Sequence, residues 1–331
     1  MVYVPTTYQI SPSSCHYYAS SMYIRIVNNK PMKQIFLSPQ FSVSQIVHGQ
    51  MRINDWHLSS QELLSQMKAI TDMGIDTFDN ADIYGNYTCE ELVGNALSIQ
   101  TSFREQIKII TKCGINIMSD KFPEKKIQYY DYSYSYIMGQ VEQSLKKLRT
   151  DRIDLLLLHR PSYLLDPVEV AKAFEKLLTD GKVRYFGVSN FYAHDFSMLQ
   201  SYCSMPLITN QIEVSPYCLE HFENGNLSFL LEKRIKPMGY SPLAWGKLVH
   251  PDCEKSHRLV AELDTIAREL GVDGIDKVIF AWIAQHPAGI IPINGSGNLD
   301  RIKRSIEALD IRLSTEQWQR VLVASRGVRL P

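Results

Sequence analysis

From about residue 45 to residue 309, short apolar runs rich in β-branched residues alternate with longer stretches that have helical spacing. The predicted strands are residues 45–49, 76–80, 107–113, 153–159, 183–189, 206–213, 235–241 and 289–293. The predicted helices are residues 59–73, 88–98, 135–149, 166–180, 192–202, 221–233, 257–286 and 298–309. Eight strands, each followed by a helix, are typical of a (β/α)8 TIM barrel, whereas a doubly wound sheet usually has about five to seven parallel strands. We therefore predict an α/β fold with a single barrel.

The two ends of the chain lie outside this alternation. Residues 1–54 contain no Asp or Glu, and their first half is rich in Tyr, Ser and Pro without regular periodicity. We predict that residues 1–34 are an N-terminal extension, either flexible or the product of an alternative translation start, and that residues 35–331 form the barrel domain. Residues 313–325 begin with a helix start signal and are predicted to pack as a closing helix.

Charge and cysteine content narrow the possible functions. The 35 basic residues balance the 35 acidic ones, so the chain lacks the broad positive field that non-specific nucleic-acid binding needs. Its six cysteines include no C-x-x-C pair and no Cys/His cluster with metal-ligand spacing. The apolar runs are far shorter than the roughly 20 residues that span a bilayer. We expect a cytoplasmic protein with no nucleic-acid partner, membrane span or bound metal; its oligomeric state stays open.

Four polar side chains lie near the C-terminal ends of three successive predicted strands, where barrel enzymes carry their functional residues. Asp79 is at the end of the second strand and Tyr84 follows it, while Lys112 and His159 lie at the ends of the third and fourth strands. Adjacent parallel strands are about 4.8 Å apart, so we expect these groups to meet at one mouth of the barrel.

The chemistry of this group points to proton transfer. An ammonium beside a phenol, whose reference pKa is about 10, favours the phenolate, so Lys112 is expected to activate Tyr84. Asp79 would keep Lys112 in place and charged, and His159 would donate a hydrogen bond to a substrate oxygen. Such a group can protonate an oxygen that becomes an alkoxide, as in carbonyl reduction. Taken singly, each residue is more often a solvated, capping or core residue; their joint placement favours catalysis.

Longer motifs extend this interpretation. In chain order they are GIDTFDNADIYGNYTCEELVGNAL from Gly74, IITKCGI from Ile109, DLLLLHRP from Asp154, GKVRYFGVSNF from Gly181, TNQIEVSP from Thr209, YSPLAWGKL from Tyr240 and PINGSGNLDRI from Pro292. With these motifs the sequence resembles the aldo-keto reductase superfamily, and most closely its bacterial-type oxidoreductase branch with short loops. The resemblance covers the chain from about residue 44 to its end.

The resemblance implies a TIM barrel that reduces an aldehyde or ketone with NADPH bound in an extended form. It implies a catalytic tetrad in which Tyr84 is the proton donor, formed with Asp79, Lys112 and His159. It also implies contacts with the nicotinamide half of the cofactor. Gly49 and Met51 match positions at the ribose, Ser189, Asn190 and Gln211 at the carboxamide, Tyr240 at the stacked ring, and Ser241 and Leu243 at the pyrophosphate.

The segment after the last predicted strand resembles the family's adenosine-phosphate clamp. Its matching residues are Ser296, Gly297, Asn298 and Arg301, at the start of a predicted helix where free N–H groups attract phosphate. Gly295 stands where many relatives have a phosphate-contacting Lys, and Arg304 and Ser305 replace an acidic and Asn pair that holds adenine. Preference for NADPH is therefore expected to rest on Arg301 and Arg304, and NADH remains possible.

Three aromatic residues, Trp56, Tyr217 and Trp245, lie in or near loops of the catalytic face and could line a pocket for an apolar carbonyl substrate or simply cover the rim. Two other functions stay open. One is an NADP(H)-binding regulatory or redox-sensing subunit with incidental activity. The other is a metal-dependent hydrolase that uses Asp79, Asp82, His159 and His257, although no H-x-H or H-E-x-x-H spacing supports it.

Overall fold

A closed barrel of eight parallel strands forms the centre of the computed structural model, which describes residues 32–330. The strands are β1 (Gln34–Ser38), β2 (Phe41–Ser44), β3 (Val47–Gly49), β4 (Thr77–Asp79), β5 (Lys108–Cys113), β6 (Ile115–Asn116), β7 (Tyr129–Tyr130), β8 (Ile153–Leu158), β9 (Val183–Ser189), β10 (Leu207–Glu213), β11 (Met238–Tyr240) and β12 (Ile291–Asn294). Around the barrel the order is β3-β4-β5-β8-β9-β10-β11-β12, and β12 pairs with β3 to close it. The predicted TIM barrel is confirmed, and each of the eight predicted strands is present.

Helices surround the barrel. They are α1 (Ser60–Asp72), α2 (Cys89–Ile99), α3 (Tyr134–Leu148), α4 (Pro167–Thr179), α5 (Ala193–Tyr202), α6 (Glu220–Glu223), α7 (Asn226–Glu232), α8 (Glu254–Leu270), α9 (Ile275–Ala284), α10 (Leu299–Glu307) and α11 (Thr315–Arg326). One-turn segments lie at Ile53–Trp56, Tyr84–Tyr87, Thr101–Gln106, Ala244–Gly246 and Ala308–Asp310. The predicted closing helix is α11, and it begins with a reciprocal capping box between Ser314 and Gln317. Within residues 32–330, no helix is both long and apolar enough to cross a membrane.

Two predicted helices are wrong in extent. The single helix predicted over residues 257–286 is two helices, α8 and α9, because Gly271 ends α8 with a φ of 65° and Gly274 has a φ of 104° before α9. The helix predicted over residues 221–233 is likewise divided, since Gly225 adopts a φ of 83° between α6 and α7. Each glycine is in the left-handed region, where a helix cannot continue.

An antiparallel hairpin of β1 and β2 precedes the barrel and was not predicted from the sequence. Phe41 and Val43 of β2 are buried in the same apolar cluster as the barrel interior. The predicted boundary between residues 34 and 35 therefore falls inside β1. Residues 1–31 of the predicted extension lie outside the described residues. A second antiparallel pair, β6 with β7, lies in the long segment that follows β5.

The alternation of side chains along each strand explains why the polar mouth lies over an apolar interior. Ile110 of β5 and Leu157 of β8 belong to the buried interior cluster. Lys112 and His159 are each two residues further along, so they belong to the same face of the sheet. Asp79 is the register partner of Ile110 across the β4–β5 pair. The strand ends therefore place one carboxylate, one ammonium and one imidazole at the same mouth.

The close packing of α2 on α3 gives a test of the fold. A Cβ atom at Gly94 would overlap the Lys147 carbonyl oxygen of α3. We expect Gly94→Ala to lower the free energy of unfolding by about 1–3 kcal/mol, the usual cost of overpacking. Gly139→Ala on α3 is the matched control; the added methyl meets nothing within 4 Å, so a gain of about 0.5–1 kcal/mol is expected. Urea unfolding measures the free energy of unfolding of both variants. Changes of the same sign in the two variants would contradict the close packing of α2 on α3 at Gly94.

Candidate active site

Lys112 is the centre of the polar network at the barrel mouth. Its Nζ donates to both carboxylate oxygens of Asp79 at 2.8 Å and to the Tyr84 hydroxyl at 3.1 Å. The same atom lies 2.8 Å from the Asn80 carbonyl oxygen, and Gln211 Nε2 donates to Asp79 at 2.9 Å. The Lys112 side chain is fully buried. Asp79 therefore balances the Lys112 charge inside the protein, and the ammonium is in hydrogen-bond contact with the Tyr84 hydroxyl.

The protonation states follow from this burial. Burial alone lowers the pKa of Lys112, but Asp79 and Tyr84 together outweigh it, and the pKa is raised above its ordinary value. Burial raises the pKa of Tyr84 by more than the nearby Lys112 charge lowers it. Lys112 thus acts on the pKa of Tyr84 in the expected direction, through its charge and its hydrogen bond, but burial outweighs it. At neutral pH Tyr84 holds its proton and Lys112 is charged.

His159 stands beside the tyrosine. The two rings are 5.9 Å apart between centroids and meet edge to face at 78°. Burial, followed by the nearby charges of Lys112 and Arg160, holds the pKa of His159 well below 6.5, so the ring is neutral at neutral pH. Its Nδ1 has no hydrogen-bond partner in the part of the chain that the structure describes. A neutral imidazole can donate one hydrogen bond to a substrate oxygen.

The residues expected at the carboxamide lie next to this network as one connected group. Asn190, with a left-handed φ of 62°, donates from its backbone N–H to the Gln211 carbonyl at 2.8 Å and from Nδ2 to Ser189 Oγ at 2.8 Å. The Tyr240 hydroxyl donates to Asn190 Oδ1 at 2.7 Å. Burial raises the pKa of Tyr240 to about 12, so this hydroxyl keeps its proton. Through Gln211, the group is bonded to Asp79.

The loop between β12 and α10 forms the start of a helix. Asn298 caps α10 by accepting from the Arg301 backbone N–H at 3.1 Å, and Ser296 Oγ accepts from the Asn298 N–H at 3.1 Å. Arg301 is exposed, and no carboxylate within residues 32–330 pairs with it. A free guanidinium one turn into a helix is suited to an anionic phosphate.

Arg304 and Ser305 are placed differently from the expectation. The Arg304 guanidinium bonds Asp276 at 2.6 Å and Asp273 at 2.7 Å, so its charge is already balanced. Ser305 is 1% exposed; its hydroxyl donates to the Ile302 carbonyl at 2.6 Å and accepts from Asn294 Nδ2 at 2.8 Å. These contacts correct the expectation that Arg304 and Ser305 bind the adenosine end of the cofactor, because both side chains already bond other groups of the protein.

The sequence profile of the Aldo/keto reductase family matches residues 45–324. This chain belongs to the aldo-keto reductase family. It is 48% identical over 300 residues to the oxidoreductase YcsN of Bacillus subtilis, a match that covers 91% of this chain and 100% of YcsN. It is 41% identical over 288 residues to 6-dehydroglucose reductase of Agrobacterium fabrum, covering 87% of this chain and 96% of that protein. Among solved structures, the thermostable aldo-keto reductase Tm1743 in complex with epalrestat has the same fold, with a TM-score of 0.75 and 24% identity over 88% of this chain and 100% of that chain.

Family membership sets the general chemistry. As an aldo-keto reductase of the bacterial oxidoreductase branch, the chain is an NAD(P)H-dependent oxidoreductase, and carbonyl reduction is its general reaction. A small molecule is the corresponding class of substrate.

The other residues that the resemblance assigns to the nicotinamide half of a cofactor lie at or just after the ends of barrel strands. Gly49 ends β3 opposite Asp79, and a Cβ there would lie 3.0 Å from Ile293 Cγ2. The Met51 carbonyl oxygen accepts from Cys89 Sγ at 3.6 Å. Ser241, with a left-handed φ of 53°, and Leu243 follow β11 and are partly buried.

The three predicted pocket aromatics separate into two groups. Trp56 packs on Gly297 of the loop between β12 and α10, since a Cβ on that glycine would be 2.6 Å from Trp56 Cε2. Trp245 is 53% exposed, lies 6.2 Å from the Tyr240 ring, and donates from Nε1 to Glu213 at 3.1 Å. Tyr217 lines a cavity of about 720 Å³ together with Glu213. Trp245 and Tyr217 are thus both associated with Glu213, and the residues that line the Tyr217 cavity include no member of the predicted tetrad.

The alternative metal site does not form as one group. Within the described range 32–330, no three His, Cys, Asp or Glu side chains lie together as metal ligands. Asp79 is bonded to Lys112, and His257 is exposed on α8. Asp82 is 2% exposed, and burial followed by the nearby Glu90 raises its pKa well above the ordinary value, which disfavours the charged form that a cation ligand needs.

Sequence reasoning missed several polar residues that contact the predicted site. His48 bonds the Ser296 carbonyl, Gln66 bonds the Gly297 carbonyl, and Arg160 Nη2 lies 3.4 Å from the Tyr240 hydroxyl. His48 occupies an alternate position of a predicted strand, and a polar residue there was the one available signal. Gln66 lies within an amphipathic helix, where nothing in the spacing distinguishes it from a surface residue.

Proposed function

We propose that the protein reduces an aldehyde or ketone to an alcohol with NADPH, and that Tyr84 donates the proton. The observation that carries this proposal is the position of Lys112 Nζ, within hydrogen-bond distance of both Asp79 oxygens and of the Tyr84 hydroxyl. A buried ammonium fixed by a carboxylate stabilises the phenolate that remains once the proton has left.

The roles of the side chains follow from their charges. Bound NADPH would supply the hydride. His159, neutral beside the Tyr84 ring, would orient the substrate oxygen by donating a hydrogen bond. Tyr84 would protonate that oxygen, and Lys112 would stabilise the resulting phenolate at 3.1 Å until solvent restores the proton. Asp79 keeps the Lys112 charge in place through both carboxylate oxygens.

The residues present fit a nicotinamide cofactor. The Gly49 and Gly295 backbones pack closely at the mouth, since a Cβ on Gly49 would lie 3.4 Å from Gly295 Cα. The exposed Arg301 guanidinium, which no carboxylate within residues 32–330 pairs, is suited to the anionic end of the cofactor. Ser189, Asn190 and Gln211 would hold the carboxamide, and Tyr240 would stack on the ring. Ser296, Gly297, Asn298 and Arg301 would hold the adenosine phosphate, with Arg301 providing the charge.

The contacts of Trp245 favour a hydroxylated carbonyl compound as substrate, in place of the apolar one expected from the aromatic residues alone. The Trp245 indole lies beside Tyr240, and the Glu213 carboxylate accepts from its Nε1, which places one apolar face next to one acceptor. The curated relative from Agrobacterium fabrum is named for 6-dehydroglucose. We therefore include sugar-derived aldehydes among the substrates of this proposal.

The direct experiment follows NADPH absorbance with the purified protein against a panel of aldehydes and ketones that includes sugar-derived aldehydes, and repeats it with NADH. We expect NADPH consumption with at least one member of the panel and a lower kcat/KM with NADH. Tight NADPH binding without consumption across the panel would instead support the regulatory or redox-sensing alternative.

Cofactor preference gives a second test. Arg301→Ala removes a free guanidinium and is expected to weaken NADPH binding by about 10- to 100-fold, the scale of a hydrogen bond to a charged group, with NADH binding unchanged. Arg304→Ala is the matched control, because Asp273 and Asp276 already balance its charge. Fluorescence titration of both variants with both cofactors measures the difference. Equal losses in the two variants would refute the assignment of the phosphate to Arg301.

A further inference from the structure

Residues 296–298, which are proposed above to bind the adenosine phosphate, are called the phosphate loop. Two side chains from other elements bond the carbonyl oxygens of this loop. His48 of β3 donates from Nε2 to the Ser296 carbonyl at 3.0 Å, and Gln66 of α1 donates from Nε2 to the Gly297 carbonyl at 2.6 Å. These are consecutive peptide groups. The residues that hold them lie more than 200 positions earlier in the chain, so the contacts tie three separate elements together.

The direction of these carbonyls sets the direction of the loop's N–H groups. In a planar trans peptide the C=O and the following N–H point in opposite directions. Because the Ser296 carbonyl faces His48, the Gly297 N–H faces away from β3, and no acceptor in residues 32–330 bonds it. The Asn298 N–H likewise faces away from Gln66 and bonds Ser296 Oγ. One backbone donor is thus turned outward and left free before any ligand binds.

The donor state of His48 is fixed by its surroundings. The side chain is fully buried, and burial lowers its pKa to about 4 despite the opposing bond to Ser296, so it is neutral at neutral pH. Gln50 Nε2 donates to His48 Nδ1 at 3.0 Å, which leaves the proton on Nε2, facing the Ser296 carbonyl. The backbone N–H of Gln50 in turn donates to the Asp79 carbonyl at 2.8 Å. Hydrogen bonds through Gln50 and His48 therefore connect the backbone carbonyl of Asp79 with the backbone carbonyl of Ser296.

We propose that His48 and Gln66 are positioning residues that hold the loop Ser296–Asn298 with the Gly297 N–H presented to the cofactor's adenosine phosphate. This inference rests on the proposed NADPH function. The two side chains do not touch the ligand; they remove the ordering cost that a free loop would incur on binding. Trp56 also packs against Gly297, since a Cβ on that glycine would lie 2.6 Å from Trp56 Cε2, and it restricts the loop further.

The experiment measures the phosphate site apart from the chemistry. The variants are Gln66→Leu and His48→Phe in the full-length protein, with Gln61→Leu as the matched control on the exposed face of α1. The probe is 2′,5′-ADP, which has the adenosine phosphate and no nicotinamide, and calorimetry gives its Kd. Reduced nicotinamide mononucleotide, which lacks the phosphate-bearing adenosine, serves as the hydride donor in a parallel assay.

We expect each positioning variant to weaken 2′,5′-ADP binding by about three- to tenfold, the scale of one neutral hydrogen bond. KM for NADPH should rise by a similar factor. In Gln66→Leu, whose side chain bonds only the Gly297 carbonyl among the described residues, kcat at saturation and turnover with the mononucleotide should be unchanged. Gln61→Leu should match the wild type. Gln66 is partly exposed, so its variant keeps the test valid if His48→Phe fails to fold, which thermal melting detects.

Two results would overturn the inference. One is a Gln66→Leu protein that is folded and binds 2′,5′-ADP as tightly as the wild type. The other is an equal loss of 2′,5′-ADP binding and mononucleotide turnover, because a general structural defect then explains both. Failure of the proposed function is distinguishable in the wild-type protein. Absence of 2′,5′-ADP binding would refute NADPH as the cofactor, whereas 2′,5′-ADP binding without carbonyl turnover would refute the reductase activity alone.

Discussion

Tyr84→Phe is expected to lower carbonyl turnover by about two to four orders of magnitude, the usual contribution of general acid catalysis, while NADPH binding stays unchanged. The ring and its edge-to-face contact with His159 remain, and only the hydroxyl that lies 3.1 Å from Lys112 Nζ is removed. The loss should therefore fall on kcat. Steady-state kinetics with an aldehyde that the wild-type protein reduces, together with NADPH fluorescence titration, provides both measurements.

Tyr87→Phe is the matched control for this change. Tyr87 belongs to the same one-turn segment, but its hydroxyl accepts from the Ile117 backbone N–H at 3.1 Å and takes no part in the Lys112 network. We expect it to retain turnover. If Tyr84→Phe also retained turnover, Tyr84 would not be the proton donor, and the mechanism proposed above would be refuted.

Lys112→Met is expected to lower both the free energy of unfolding and the catalytic activity strongly. The change leaves the Asp79 carboxylate, which is 3% exposed, without its ion-pair partner. Breaking a buried ion pair from one side commonly costs about 3–5 kcal/mol. We expect the free energy of unfolding to fall by this amount and turnover to be lost, because nothing then stabilises the Tyr84 phenolate. Urea unfolding and steady-state kinetics test the two effects separately.

The double variant Asp79→Asn/Lys112→Met separates stability from chemistry. It removes both charges, so no uncompensated carboxylate remains, and much of the lost stability should return. Turnover should stay at the level of the single Lys112 variant, since the ammonium is still absent. A double variant with wild-type turnover would show that the pair serves folding alone.

The barrel could be predicted because each strand and helix carries its own periodic signal. The positions that departed from prediction depend on backbone geometry or on distant partners. The helix predicted over residues 257–286 breaks because Gly271 and Gly274 adopt left-handed φ angles, and an isolated glycine within a helical pattern is also tolerated in other proteins. The β1–β2 hairpin is short, and its burial depends on Phe41 and Val43 reaching the barrel interior.

The meeting of the four residues of the proposed tetrad could be predicted because Asp79, Lys112 and His159 lie at or next to strand ends, whose positions follow from the barrel, and Tyr84 closely follows β4. The electrostatics of the tetrad could not, since the net pKa of Tyr84 depends on how deeply the closed barrel buries the phenol. Arg304 shows the same limit. Its partners Asp273 and Asp276 lie 31 and 28 residues earlier, and only the packing of α10 against the α8–α9 turn brings them together.

The contacts of the phosphate loop bear on any attempt to change which cofactor the enzyme uses. The conformation of Ser296 and Gly297 depends on side chains carried by β3 and α1. A transplant of the β12–α10 segment from an NADH-specific relative would remove the loop from the donors that shape it. Redesign of cofactor choice in this scaffold therefore has to treat His48, Gln66 and the loop as one unit, exchanged together or kept together.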